Sequence, residues 1–175
     1  MVGVNERLAA LVLSVGVLLG TGCGNGEDTS VDPCSIPDSA LSEAGLKPES
    51  ARPGTDGVDF EDWTGCTWKA SDEEWFTFWL YYGSPGLEEF GTDPRYQHYR
   101  PVGPADIDSR KATEFTVNLD PERQRFCHIG IELSDGMAFL WSSLSVRRDP
   151  GEAKGDGLCA ANQRVAQQLS KYLPE

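Results

Sequence analysis

Five cysteines and two histidines are the residues of this chain best suited to covalent chemistry, base catalysis or metal binding. The cysteines stand at Cys23, Cys34, Cys66, Cys127 and Cys159. None of them pairs at the close spacing of a zinc knuckle, so a structural metal site is not expected. Cys23 follows Gly20, Thr21 and Gly22, small residues of the kind a lipoprotein signal peptidase accepts before the cysteine that is acylated. With Cys23 assigned to lipid, the other four are an even set, which in an oxidising compartment implies two disulfides. Four cysteines allow three pairings. The sequential one, Cys34–Cys66 and Cys127–Cys159, closes two loops of equal separation.

A catalytic triad or a histidine metal site would have to use His98 or His128, the only two histidines. The chain has no G-x-S-x-G elbow, H-E-x-x-H, phosphate-binding glycine loop or S-x-x-K. The expectation is therefore a protein without catalytic residues, and no cofactor motif is present. His128 sits beside Cys127 on an expected strand and reads as a partly exposed strand histidine. His98 lies in Arg95-Tyr96-Gln97-His98-Tyr99-Arg100, whose arginines and rings could receive an anionic or sugar ligand. The plainer expectation is that the rings pack down and the arginines pair with carboxylates. Asp56, Asp59, Glu61 and Asp62 form an acidic loop that lacks the regular ligand spacing of a calcium site.

Residues 74–82 (EWFTFWLYY) hold the densest aromatic run. As a strand they place Phe76, Phe78, Leu80 and Tyr82 on one face and Trp75, Thr77, Trp79 and Tyr81 on the other. Only one face of a one-sided sheet meets the core. The second is either covered or is a platform on which Trp75, Trp79, Tyr81 and Trp141 bind a lipid, glycan or partner.

The elements that position these residues follow from pattern. Residues 1–22 read as a signal segment: a short polar start, an apolar run at 8–19 too short to span a bilayer, then the small residues. Residues 23–33 hold the acylated cysteine and a small, polar tether. Residues 34–175 are expected to form a single extracytoplasmic α+β domain. Its expected elements are a short helix at 38–44, strands at 65–70, 74–82, 113–119, 125–133 and 137–146, and a helix over 158–173. A helical turn is expected around Leu87–Phe90 and an extended piece near Val102. Asp156 could cap the last helix. Along 125–133, Cys127, Ile129, Ile131 and Leu133 share one face, with Phe126, His128 and Glu132 on the other. The net charge of −13 disfavours nucleic acid and anionic headgroups as partners, leaving the membrane, through the lipid, and an unidentified envelope ligand or protein.

An ordered set of short pieces runs through the chain. Asp32-Pro33-Cys34 precedes the short helix ending at Gly45, and Gly65-Cys66-Thr67-Trp68 lies on a strand. Cys127 lies in a β run, and Leu158-Cys159-Ala160-Ala161 opens the last helix. This set resembles the actinobacterial lipoproteins grouped as a domain of unknown function (DUF3558). The resemblance implies a membrane-tethered extracytoplasmic domain with two disulfides, and it carries no catalytic residues. A looser likeness to the sensor domain of a mycobacterial serine/threonine kinase implies, as an alternative role, a sensing or accessory domain that modulates a membrane kinase or transporter. A likeness to lipoproteins with folds like the photosystem II protein PsbP implies an antiparallel sheet flanked by a short N-terminal helix and a longer C-terminal helix.

Overall fold

The computed structural model describes residues 32–54 and 63–175 of the protein. The signal segment, Cys23, the tether up to Val31 and the acidic positions Asp56, Asp59, Glu61 and Asp62 lie outside the described residues. The strands are β1 (Arg52–Pro53), β2 (Trp63–Lys69), β3 (Phe76–Gly83), β4 (Tyr99–Pro104), β5 (Ala112–Val117), β6 (Phe126–Leu133) and β7 (Gly136–Leu144). They form one antiparallel sheet in the order β1-β2-β3-β7-β6-β5-β4. The helices are α1 (Asp38–Glu43), α2 (Leu87–Phe90) and α3 (Leu158–Leu169). This is the expected α+β plan, with an antiparallel sheet, a short N-terminal helix and a longer C-terminal one.

Alternation along the central strands sorts their side chains into two layers. Phe76, Phe78 and Leu80 of β3, Cys127, Ile129 and Ile131 of β6, and Ala138 and Leu140 of β7 face α1 and α3. Leu158, Ala161, Val165 and Leu169 recur at helical spacing on α3 and close this layer. Ser142 and Asn162 are buried inside it as a pair. Ser142 Oγ donates to Asn162 Oδ1 at 2.7 Å, and Asn162 Nδ2 donates to the Cys127 carbonyl at 3.3 Å. The polar groups are thus satisfied where the helix crosses the sheet.

Both disulfides form in the sequential pairing. Cys34–Cys66 and Cys127–Cys159 have Cα–Cα distances of 5.2 and 5.1 Å, each at a sequence separation of 32. The first ties the turn before α1 to β2, and the second ties the start of α3 to β6. By the loop-entropy argument each contributes roughly 3.5–4 kcal/mol.

The second face has a core of its own. Trp63, Tyr81, Leu87, Phe90, Tyr96, Tyr99, Phe115, Met137 and Phe139 are buried there. The segment from α2 to the start of β4 folds over the sheet, so the helical turn expected at Leu87–Phe90 is a lid over aromatic side chains. Two glycines make this packing possible. Gly83 is opposite Trp63, and Gly65 is opposite Tyr81, in the β2–β3 register. A Cβ on Gly83 would stand 2.3 Å from the Trp63 ring, and one on Gly65 would stand 2.4 Å from Tyr81. Each ring lies across the bare backbone of its partner.

Some expectations are corrected. β1 is a strand where none was expected, whereas the extended piece expected near Val102 is present, as the edge strand β4. Pro101, Pro104 and a register shift between Pro101 and Gly103 blunt that edge against further strand pairing. Helix α3 stops at Leu169 and continues only as a 3-10 turn over Ser170–Tyr172. Ser170 Oγ donates to the Gln167 carbonyl at 2.8 Å, diverting an acceptor of the last turn. Asp156 does not cap α3. The cap position is Gly157, and the Asp156 carboxylate accepts from Arg164 instead.

Candidate functional site

Among the described residues, the cover over the second face is incomplete. Thr67 and Lys69 on β2, Thr77 and Trp79 on β3, and Trp141 and Ser143 on β7 form a contiguous band of half-buried side chains. Register places them in two cross-strand rows. Thr67, Trp79, Trp141 and His128 make one, and Lys69, Thr77, Ser143 and Phe126 make the other.

In the first row the rings stack. The centroids of Trp79 and Trp141 are 4.4 Å apart at an interplanar angle of 18°, and Trp141 stacks on His128 at 5.6 Å and 24°. His128 also lies parallel to Phe139 and meets Tyr99 edge-on. Among the described residues no ring covers the face of Trp79 turned away from Trp141. The indole nitrogens of Trp79 and Trp141 are buried and have no hydrogen-bond partner.

The second row opens into a cleft of about 530 Å³ lined by Lys69, Glu73, Glu74, Thr77, Ser145, Arg147, Arg148 and Glu152. The walls come from the β2–β3 turn and the segment after β7. Glu73 and Glu74 both have a φ of 50°, so this turn holds two consecutive non-glycine residues in the left-handed region. Ion pairs fix their carboxylates. Lys69 and Lys47 donate to Glu74 at 2.7 and 2.9 Å, and Arg148 donates to Glu73 at 2.8 Å. The hydrogen bonds from Lys69 and Lys47 pull the Glu74 carboxyl down to about 2, and those from Arg148 and Lys154 lower Glu73.

The four aromatic positions expected to act together do not all meet. Trp79 and Trp141 form the open stack. Tyr81 is fully buried beneath the α2 cover. Trp75 lies in the opposite layer, in the core beneath the helices, with its ring 4.7 Å from Phe76. It precedes β3 and follows the left-handed pair Glu73 and Glu74, so strand alternation does not reach back to it.

The two histidines sit in opposite environments, one buried and one exposed. His128 is only 2% exposed, which corrects the expectation of a partly exposed strand position. Burial above all, with the charges of Arg123 and His98 adding and Asp120 opposing, pushes its pKa down to about 3. Its Nδ1 has no hydrogen-bond partner, so nothing orients it as a base. His98 is exposed and packs against the Tyr99 ring at 4.2 Å. In the same segment Tyr96 and Tyr99 are buried, and Arg95 forks onto the Asp93 carboxylate at 2.9 and 2.7 Å. For Arg95, Tyr96 and Tyr99 that is the plainer of the two expectations, while Arg100 is exposed. Among the described residues no cluster of three or more His, Cys, Asp or Glu side chains could hold a metal.

Sequence reasoning missed the charged cleft, since its residues come from two segments far apart in the chain, 69–77 and 145–152. It also missed Asp120, a buried carboxylate that accepts from the backbone N–H groups of Gln124, Arg125 and Phe126 at 3.0, 2.7 and 2.8 Å and shapes the β5–β6 turn. A side chain two places after Asn118 and followed by Pro121 is the one signal that could have marked that turn.

Comparison with known families decides the relationship. Residues 22–172 match the family described as "Protein of unknown function (DUF3558)". The chain belongs to this family. The DUF3558 match takes in all five cysteines, together with the whole sheet and α3. No curated protein and no solved structure matches this DUF3558 chain.

Proposed function

We propose that the protein is a non-catalytic lipoprotein of the cell envelope. Cys23 carries the lipid, and the disulfide-stapled domain binds a ligand or a protein partner on the outer face of the membrane. The observation that carries this is the division of the cysteines. Four are joined in two disulfides, bonds that persist in oxidising compartments, and Cys23 stands alone behind an apolar run and three small residues. The family match begins at residue 22, so Cys23 lies within the stretch the family shares. The Trp79–Trp141 band supplies a surface for binding, and the buried His128 has no hydrogen-bond partner at Nδ1 to set it up as a general base.

The test is fractionation of the full chain expressed in a bacterium that processes lipoproteins, beside its Cys23→Ser variant. The protein should sediment with membranes, be released by detergent but not by salt, and be digested by protease added outside spheroplasts. Cys23→Ser should accumulate as the unprocessed precursor. A wild-type chain that is soluble in the cytosol contradicts the proposal.

A further inference from the structure

From the second face of the sheet we infer that the Trp79–Trp141 stack and the cleft beside it form a binding site for a neutral, hydroxyl-rich saccharide. This deepens the binding role proposed above and rests on it.

Three features select that chemistry. The Trp79–Trp141 stack is half-buried, and the part of it that reaches the surface is a flat, rigid apolar patch of the kind that takes the C–H face of a sugar ring at little cost in conformational entropy. Next to it the surface turns polar. Thr77, Ser145, Arg147 and Glu152 line the cleft and carry the hydroxyl, guanidinium and carboxylate groups that exchange hydrogen bonds with ring hydroxyls. The cleft volume, about 530 Å³, falls in the range of small-molecule sites, and its lining is mostly polar, which suits a hydroxyl-rich ligand.

Charge makes the choice within that class. The cleft is lined by three cations and three anions, and the Lys69–Glu74 and Arg148–Glu73 pairs already satisfy four of the six. No net positive potential remains to draw an anionic glycan or a phosphate, and the chain as a whole carries −13. A lipid acyl chain would have to lie along these ion pairs and desolvate them, which is costly. A peptide adding as a strand finds no free backbone here, because β3 and β7 are interior strands paired on both sides. The rim is also rigid. Ion pairs hold the left-handed turn at Glu73 and Glu74, and the Ser145 N–H donates to the Trp75 carbonyl at 2.9 Å.

The experiment is titration of the purified full chain with neutral hexasaccharides (glucan, mannan, galactan and chitin series), followed by calorimetry and by tryptophan fluorescence. A heparin hexasaccharide and phosphatidylcholine vesicles serve as the anionic and lipid arms. At least one neutral series should bind and shift the tryptophan emission, and Trp79→Ala should weaken it by about tenfold or more. Thr77→Tyr, which adds bulk at a residue lining the cleft, should give the same loss and keeps the test open if Trp79→Ala does not fold. Absence of any neutral binding at about 10 mM overturns the inference. So does binding that survives both substitutions, or a preference for heparin or vesicles over every neutral sugar. Each of these results on a chain whose Cys23 is acylated removes the saccharide site alone and leaves the lipoprotein proposal standing.

Discussion

The neutral imidazole of His128 shows how a single side chain reports the packing of the second face. It lies between Trp141 and Phe139 with almost no exposure, and the folded protein protonates it only near pH 3. The unfolded chain takes the same proton near 6.5. The unfolded state therefore binds more protons between these values, so stability is full above about pH 6.5 and falls as the pH drops toward 3. The slope from this one residue approaches about 1.4 kcal/mol per pH unit. Urea denaturation at pH 7 and at pH 4.5 should show this loss, and His128→Phe should remove most of it. An unchanged pH dependence in His128→Phe would place the acid sensitivity elsewhere. The chain neighbours of His128 gave the wrong expectation here. Alternation correctly turned its side chain away from Cys127 and Ile129, but nothing local says that Phe90 and Tyr99 fold over that face.

At the scale of elements, the period-2 and period-3.6 patterns were legible because packing enforces them. Phe76, Phe78 and Leu80 had to share a side, and Leu158, Ala161, Val165 and Leu169 had to make a stripe. Legibility ended where a non-local contact or an unusual backbone intervened. Trp75 left the expected face because two left-handed residues precede it. The lid from α2 to β4 was hidden because a four-residue helix and a 3-10 turn carry little local signal. The glycines opposite Trp63 and Tyr81 were equally silent in sequence, since their role depends on register. Gly83→Ala tests that role. The added methyl collides with the Trp63 ring, and the expected cost is about 1–3 kcal/mol of stability, read from denaturation midpoints at unchanged m-value. A cost within experimental error would mean that the ring is not held against the backbone there.

For the molecule as a whole, the described fold is a twisted sheet with two unequal covers. One is a helical layer fastened at two points by disulfides, and the other is a loop layer that leaves part of the sheet open. The chain enters the described fold on the helical side. Asp32 precedes the Cys34–Cys66 bridge, and the residues before it lead back to Cys23. The Trp79–Trp141 band is on the opposite face of the sheet. Trp79 and Trp141 could be named from sequence as aromatic candidates, whereas the cleft that gives them a chemical context could not, because Lys69, Thr77 and Arg147 meet only through the β2-β3-β7 order.

The most direct test of this account is the intact mass of the protein extracted from a lipoprotein-processing host and alkylated without reductant. The account predicts a chain that begins at Cys23, carries the added mass of acyl chains on that residue, and takes up no alkyl group at Cys34, Cys66, Cys127 or Cys159. A chain that retains residues 1–22, or one alkylated at the four downstream cysteines, would contradict it.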